Sequence, residues 1–318
     1  MALKKVVLAG FSGHSPRWFR FHGSMIDIVA VSGAVSQGVQ KWMDDFHWNG
    51  RRYDDPAAMI CAEPADLAFI WTRGPEQHVP LGLLALERGM HVMLEKPLSE
   101  DADEAKRFVD AVAKSGRRAM VMQDIRWQNT AIELKQAWDG RTVGEPHSLD
   151  VTLIGSFTAF TYEGIHIVDL TRYLAERDAQ WVYAAGASPA HKPLTRDNVI
   201  SLHIGYAGGL VARAVLDWSS LGHHHWIEVR VHGERGVMKA VWGQPLQVQL
   251  AGQEPARRPL LDEENNSMKR LLRHFLDRIE DDGELINSVA DQLKTLDIIF
   301  AGWESMRRNE VVRLPFKV

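Results

Sequence analysis

Residues 94–99 read Leu-Glu-Lys-Pro-Leu-Ser and follow a short apolar run at 91–94. A lysine in that place stands at the carboxyl end of a parallel strand, where open α/β sheets bind ligands, and Pro97 stiffens the turn that presents it. Held there, the Lys96 ammonium can stabilise negative charge developing on an oxygen. The alternative is a solvated loop charge. A second group, Tyr162-Glu163-Gly164-Ile165-His166-Ile167-Val168-Asp169, runs into a helical pattern. His166 and Asp169 are three residues apart and share a face of that helix. A histidine that titrates near neutrality at a helix start is suited to moving a proton. A buried packing histidine would look the same in sequence.

The elements that must hold these groups are written as apolar runs. Residues 6–9, 26–31, 67–71, 91–94 and 119–122 are short and rich in Val, Ile and Met. Helical patterns separate them, notably 80–88 and 102–114, the latter closed by Gly116. Such alternation predicts βαβ units and a parallel sheet with right-handed crossovers. After a helix around 130–138 the pattern changes. Strands are predicted over 148–153, 182–187, 199–205, 211–219, 226–231, 237–241 and 246–250, with turns at Ala207-Gly208-Gly209 and Gly233-Glu234-Arg235-Gly236. These are hairpin signals and predict a mostly antiparallel sheet. Helical segments over 266–280 and 285–308 end the chain. The predicted fold class is α/β: a Rossmann-like parallel-sheet domain over 1–122, then an α+β domain with a large, mostly antiparallel open sheet over 123–318.

A dinucleotide-binding sheet leaves its first strand through Gly-x-Gly-x-x-Gly. Here the turn is Gly10-Phe11-Ser12-Gly13-His14-Ser15-Pro16, with the first glycine kept and serines at the second and third positions. Ser15 and Pro16 suit a helix start, whose free N–H groups can meet a pyrophosphate. The Cβ of Ser12 opposes close backbone approach. The turn therefore either still binds phosphate or is structural only. The second strand ends Val31-Ser32-Gly33, with no carboxylate for the ribose hydroxyls of NAD. Lys41, Arg51 and Arg52 lie downstream as cations for a 2′-phosphate. The choice between NAD and NADP stays open.

Taken together, the Rossmann-like half ending in Glu95-Lys96-Pro97, the Gly164-Ile165-His166-Ile167-Val168-Asp169 segment and the antiparallel half resemble the Gfo/Idh/MocA family. These are the relatives of glucose-fructose oxidoreductase and inositol dehydrogenase. The likeness extends to 72–78, Arg126, Gly144-Glu145-Pro146 and Val312-Arg313-Leu314-Pro315. It implies a dinucleotide-binding first domain, a substrate-binding and oligomerising second domain, a nicotinamide cofactor (NAD or NADP), and a sugar, inositol or related polyol substrate. Lys96 matches the lysine that contacts substrate, and His166 the usual general base, with Asp169 orienting it or binding a hydroxyl. The family often has an aspartate four residues before that histidine; here the position is Tyr162, which completes the implied catalytic set without being a carboxylate at neutral pH. Implied cofactor contacts are Gly10, Ser12, Gly13 and Ser15 on the first turn, Thr72 and His78 on the loop after 67–71, then Glu95, Lys96 and Arg126. No metal is implied. The altered glycine turn and Tyr162 keep a second reading in play: a lapsed member that binds a ligand or regulates without turnover.

Composition bounds the partners. A chain of 318 residues with 45% hydrophobic and 25% charged residues has the make-up of a soluble two-domain protein. Its formal charge of −4 argues against nucleic-acid and anionic-membrane partners. No apolar run reaches membrane-span length, and the strand predicted at residue 4 leaves no room for a signal peptide. One cysteine, Cys61, excludes a disulfide framework and a thiolate cluster. A cytoplasmic location is expected. His223-His224-His225 invites a metal reading, but a turn or interface is the simpler one. Trp18, Trp71 and Trp127 are candidates to stack on a sugar or nicotinamide, although burial in cores and subunit contacts explains most tryptophans. Apolar residues on both faces of 199–204 and 211–218 predict an uncovered sheet face, hence a homodimer or homotetramer with Trp218 or Trp226 near the contact.

Overall fold

The computed structural model describes residues 2–10, 15–33, 37–72, 74–155, 160–186, 199–217, 226–259 and 266–316. They form two compact units. Unit 1 comprises Met1–Met122 with Lys269–Leu293, and unit 2 comprises Gln123–Met268 with Lys294–Val318.

Unit 1 is built on a six-stranded parallel sheet: β1 (Lys4–Ala9), β2 (Ile26–Ser32), β3 (Arg51–Tyr53), β4 (Leu67–Ile70), β5 (His91–Leu94) and β6 (Ala119–Val121). Their spatial order is β3-β2-β1-β4-β5-β6. Every residue of β4 and the last four of β1 are buried, as expected of strands covered on both faces. Four helices connect them: α1 (Gln37–Asp45), α2 (Pro56–Ala62), α3 (His78–Glu87) and α4 (Ala102–Ser115). Their ends follow local chemistry. Asp55 caps α2 through the amides of Ala57 and Ala58, with Pro56 in the first turn. Asp101 caps α4 through the Glu104 amide, and Gly116, at φ +65°, ends it.

Unit 2 carries α5 (Asn129–Asp139), α6 (Ile165–Ala175) and a nine-stranded sheet. Its strands are β7 (Pro146–Ile154), β8 (Ala179–Gly186), β9 (Val199–Tyr206), β10 (Val211–Asp217), β11 (Trp226–Gly233), β12 (Gly236–Val241), β13 (Leu246–Leu250), β14 (Ala256–Arg258) and β15 (Val312–Arg313). All neighbours pair antiparallel except β7 with β10. α7 (Ser267–Asp281) and α8 (Val289–Arg308) complete the helices, and α8 continues from unit 1 into unit 2.

One face of the nine-stranded sheet is covered. Leu149, Val151 and Leu153 of β7 and Ala212, Ala214 and Leu216 of β10 pack there with Ile167, Val168, Leu170 and Leu174 of α6. The alternate residues face the other way. On β10 these are Val211, Arg213, Val215 and Asp217, so the expected two-sided apolar pattern resolves into an apolar covered face and a mixed open one. An open depression of about 340 Å³ lies on that face, lined by Asp150, Thr152, Ser201, Arg213, Val215, Glu228 and Arg230. Trp226 is the largest exposed apolar side chain among the described residues, whereas Trp218 and His223–His225 lie outside them. No helix among the described residues is long and apolar enough to cross a membrane.

Candidate active site

Unit 1 presents its ligand edge at the carboxyl ends of its strands. Gly10, just past β1, has φ +86°, and a Cβ there would stand 2.6 Å from the Trp71 carbonyl oxygen. Both the backbone conformation and the approach of the chain after β4 demand glycine. Its amide donates to the Ser32 carbonyl at 3.1 Å, tying the ends of β1 and β2. Ser12 and Gly13 lie outside the described residues, as does the side chain of Ser15.

Ser15–Phe21 winds as a seven-residue 3₁₀ helix. That winding eclipses positions i and i+3, and it sets the Trp18 and Phe21 rings 5.9 Å apart. Trp18 also meets Phe69 at 5.0 Å and Trp71 at 5.1 Å, and both tryptophans are fully buried. Trp18 and Trp71 are thus corrected from candidate stacking surfaces to an aromatic core cluster.

β5 delivers the Glu95-Lys96-Pro97 turn. The Glu95 amide still bonds the Ile70 carbonyl at 2.9 Å, so the chain leaves the sheet only after it. Lys96 is 5% exposed and Glu95 is 4% exposed. His78, the first residue of α3, is fully buried, with Nδ1 2.7 Å from the Pro97 carbonyl oxygen. A carbonyl only accepts, so Nδ1 carries the proton. Burial holds this imidazole below its usual pKa and keeps it neutral. The sequence reading placed His78 among the cofactor contacts; in the structure its ring bonds the turn that carries Lys96. Thr72 is buried, and its hydroxyl donates to the Gly74 carbonyl at 3.1 Å.

These residues fit a dinucleotide. The strand order places its switch point between β1 and β4, beside the left-handed Gly10 turn. No carboxylate stands at the end of β2, where Ser32 is buried and Gly33 donates to the Tyr53 carbonyl. Of the downstream cations, Arg51 pairs with Glu63, which also accepts from the Tyr53 hydroxyl at 2.6 Å. Arg52 donates to Gln40 at 2.8 Å, and Lys41 is exposed.

Unit 2 carries the second group. Phe160–Gly164 forms a π-helical turn that leads directly into α6. A Cβ on Gly164 would stand 2.6 Å from the Phe160 ring, so glycine is required where that ring folds under the turn. Asp169 is fully buried on α6. Arg126, from the 3₁₀ turn Asp124–Trp127, reaches it with Nε to Oδ2 and Nη2 to Oδ1, both at 2.6 Å. Thr295 of α8 donates to Asp169 Oδ1 at 3.2 Å and accepts from Arg172 at 2.8 Å. The sequence reading gave Asp169 the task of orienting His166 or binding a hydroxyl and gave Arg126 a cofactor contact. The structure joins the two as a buried bidentate ion pair, which clamps the 3₁₀ turn to α6.

Thr171 donates to the Val168 carbonyl at 2.8 Å, so the Tyr206 hydroxyl, 2.7 Å away, is the donor to Thr171. That bond secures α6 to β9, and burial raises the Tyr206 pKa. His166 sits at the start of α6, with Nε2 3.7 Å from Glu163 Oε2. Tyr162 is half-buried on the π turn. Sequence reasoning missed Thr295 because it lies 126 residues from Asp169 and no motif links them.

Strand order, glycine turn and a buried lysine after β5 define a dinucleotide-dependent α/β oxidoreductase. Residues 4–123 match the family described as "Oxidoreductase family, NAD-binding Rossmann fold", and 132–239 match the Gfo/Idh/MocA C-terminal domain. The chain belongs to the Gfo/Idh/MocA family of NAD-binding oxidoreductases. It is 24% identical to a D-apiose dehydrogenase of Paraburkholderia graminis, over 95% of this chain and 86% of that one. With an inositol 2-dehydrogenase of Serratia proteamaculans it shares 27% identity, over 67% and 65% of the two chains. A solved oxidoreductase from Agrobacterium radiobacter, in complex with NAD+, L-tartaric acid and magnesium, superposes with a TM-score of 0.83 at 20% identity, covering 98% of each chain. At that identity the likeness shows the fold. The named relatives are dehydrogenases and give no support to a lapsed binding protein.

Proposed function

We propose that this protein oxidises a secondary alcohol of a sugar, inositol or related polyol, or reduces the matching ketone. The observation that carries the reading is Lys96, an ammonium 5% exposed at the carboxyl end of β5, on a turn held by the neutral imidazole of His78. Burying a cation costs free energy, and a site that keeps one has a use for it. The Gly10 edge would hold NAD or NADP, which would supply the hydride chemistry at the carbinol carbon.

The protein's own residues manage the oxygen and its proton. Lys96 Nζ donates a hydrogen bond to the substrate oxygen and stabilises its alkoxide character. His166 takes the hydroxyl proton in oxidation and returns it in reduction. Asp169, through Arg126, keeps α6 and the 3₁₀ turn in register, and Tyr162 is a hydroxyl available for the substrate. NADP is not disfavoured by a carboxylate at the end of β2, so no strong bias between the two cofactors is expected. The reading includes a cytoplasmic location and a homodimer or homotetramer paired through the open face of the nine-stranded sheet.

Titration with NADH and NADPH, followed by nicotinamide fluorescence, tests the first step. Failure of both to bind at millimolar concentration would end this reading. Lys96→Met should lower turnover at least ~1,000-fold while cofactor affinity stays within a small factor, because the loss falls on the reacting oxygen.

A further inference from the structure

His166 stands beside a carboxylate that the motif reading left aside. Glu163 Oε2 lies 3.7 Å from His166 Nε2, and both side chains are about four-fifths buried, at 17% exposure for His166 and 23% for Glu163. The cause is local. The two lie three residues apart where the π turn Phe160–Gly164 runs into α6, the spacing at which helical neighbours share a face. Glu163, three positions before the histidine, meets its ring. Resting on the dehydrogenase reading above, we propose that Glu163 is the positioning carboxylate of His166. It stabilises the imidazolium formed when His166 takes the substrate proton. Tyr162, the sequence candidate for that place, carries no charge at neutral pH.

The geometry suits the task. Nδ1 of His166 is shielded from solvent, so proton exchange runs through the Nε2 edge that Glu163 flanks. At 3.7 Å the contact is longer than a hydrogen bond and becomes an ion pair only when the imidazole is protonated, which leaves neutral Nε2 accessible to a substrate hydroxyl. Several of the other charged groups near α6 have partners of their own among the described residues. On α6 itself, Asp169 is bound by Arg126 of the 3₁₀ turn, and Arg172 donates to Thr295. On that turn Asp124 accepts from Gln128. On α5, Lys135 is held by Asp139 and by Glu176, and Glu133 is buried. On α8, Lys294 pairs with Asp178, and Asp297 is half-buried with its pKa raised by burial. β7 and β10 turn Asp150, Arg213 and Asp217 to the open face.

A nearby carboxylate favours the charged imidazole and raises its pKa, so removing it lowers that pKa. The test is a ¹H–¹³C NMR titration of histidine-labelled protein, with the His166 signal assigned by its absence in His166→Gln. Glu163→Gln should lower the His166 pKa by about one unit, with Glu163→Asp between the two. Glu176→Gln, which removes a carboxylate from the far end of α6, should leave it within ~0.2 unit. An unmoved His166 in Glu163→Gln overturns the proposal whether or not any sugar is turned over. Failure to find an alcohol substrate would instead count against the dehydrogenase reading and leave the titration standing. In alcohol oxidation, neutral His166 is the working form, so the acid limb of kcat/KM should move to lower pH by the same amount in Glu163→Gln. A slower enzyme with an unmoved limb would mean a merely structural Glu163 and would also overturn it.

Discussion

Unit 2 carries two bidentate arginine–aspartate pairs, one buried between the 3₁₀ turn and α6 and one on the open face of its nine-stranded sheet, alike in chemistry but not in setting. In the buried pair Arg126 and Asp169 are 7% and 0% exposed. On the open face Arg213 grips both oxygens of Asp150, at 50% and 25% exposure, and His232 adds a third contact at 3.4 Å. Water screens the outer pair and would solvate either partner if the other were lost. The inner pair has no such fallback, since a charge left alone there stays in a low-dielectric core. Matching hydrogen bonds can therefore differ several-fold in what their loss costs. The expensive pair is the one that ties α6, and with it His166, in place.

Asp169→Ala tests the inner half of this contrast and should have the largest effect on stability. It strands the Arg126 guanidinium, and the unfolding free energy in urea should fall by about 3–5 kcal/mol. Replacing both partners, Asp169→Leu with Arg126→Met, should recover most of that loss, because the penalty lies in the unpaired charge rather than in the missing pair. A single variant as stable as the parent would show that water reaches the pair.

Unit 1 handles burial by another route, and a pH experiment sharpens the difference. His91, at the start of β5, accepts the Arg118 amide at Nδ1 (2.9 Å). Burial, then the positive charges of Arg117, Lys4 and Arg118, lower its pKa to about 4. The folded pKa lies below the unfolded value near 6.5, so the unfolded chain binds more protons between those limits. The stability contributed by neutral His91 is full above about pH 6.5 and is lost as pH falls towards 4. Urea midpoints followed over that window should drop, and His91→Gln, which keeps an acceptor but cannot titrate, should flatten the drop. Equal slopes in the two proteins would remove His91 as the cause.

What the sequence made legible follows from the same physics. The long strands of both sheets were readable because burial imposes continuous apolar runs in one and alternation in the other. β3 was not, since Arg51-Arg52-Tyr53 contains no apolar run and is a strand only by pairing with β2. The helical patterns over 266–280 and 285–308 were legible, but a pattern does not say that 269–293 belongs with unit 1 and the rest with unit 2. Lys96 was legible because a strand end and a proline frame it. The role of His78 was hidden because its partner is a backbone carbonyl, which no residue type announces. Glu163 was in view but lies one residue from the position four before His166 where the family often carries its aspartate, so the motif pointed to Tyr162 instead.

Asp150→Ala should have the smallest effect, and it bears on whether the open face stays open. In an isolated chain the loss should be at most ~1 kcal/mol, because solvent takes over both Arg213 and His232. If the face is instead covered by a second copy, the Asp150–Arg213 pair becomes an inner pair. The face is suited to such contact: Arg213, Asp150, Glu228, Arg230 and Lys239 mix both signs, and Trp226 is 44% exposed beside them. A dimer contact would then make the cost of Asp150→Ala depend on protein concentration, approaching that of Asp169→Ala at concentrations where the assembly persists. Sedimentation at micromolar concentration should show at least twice the 35.9 kDa chain mass, and Asp150→Ala should shift it toward the single chain. A monomeric parent would remove the assembly and leave the two pairs as different as they look. A dimer indifferent to Asp150 would place its contact elsewhere on the molecule.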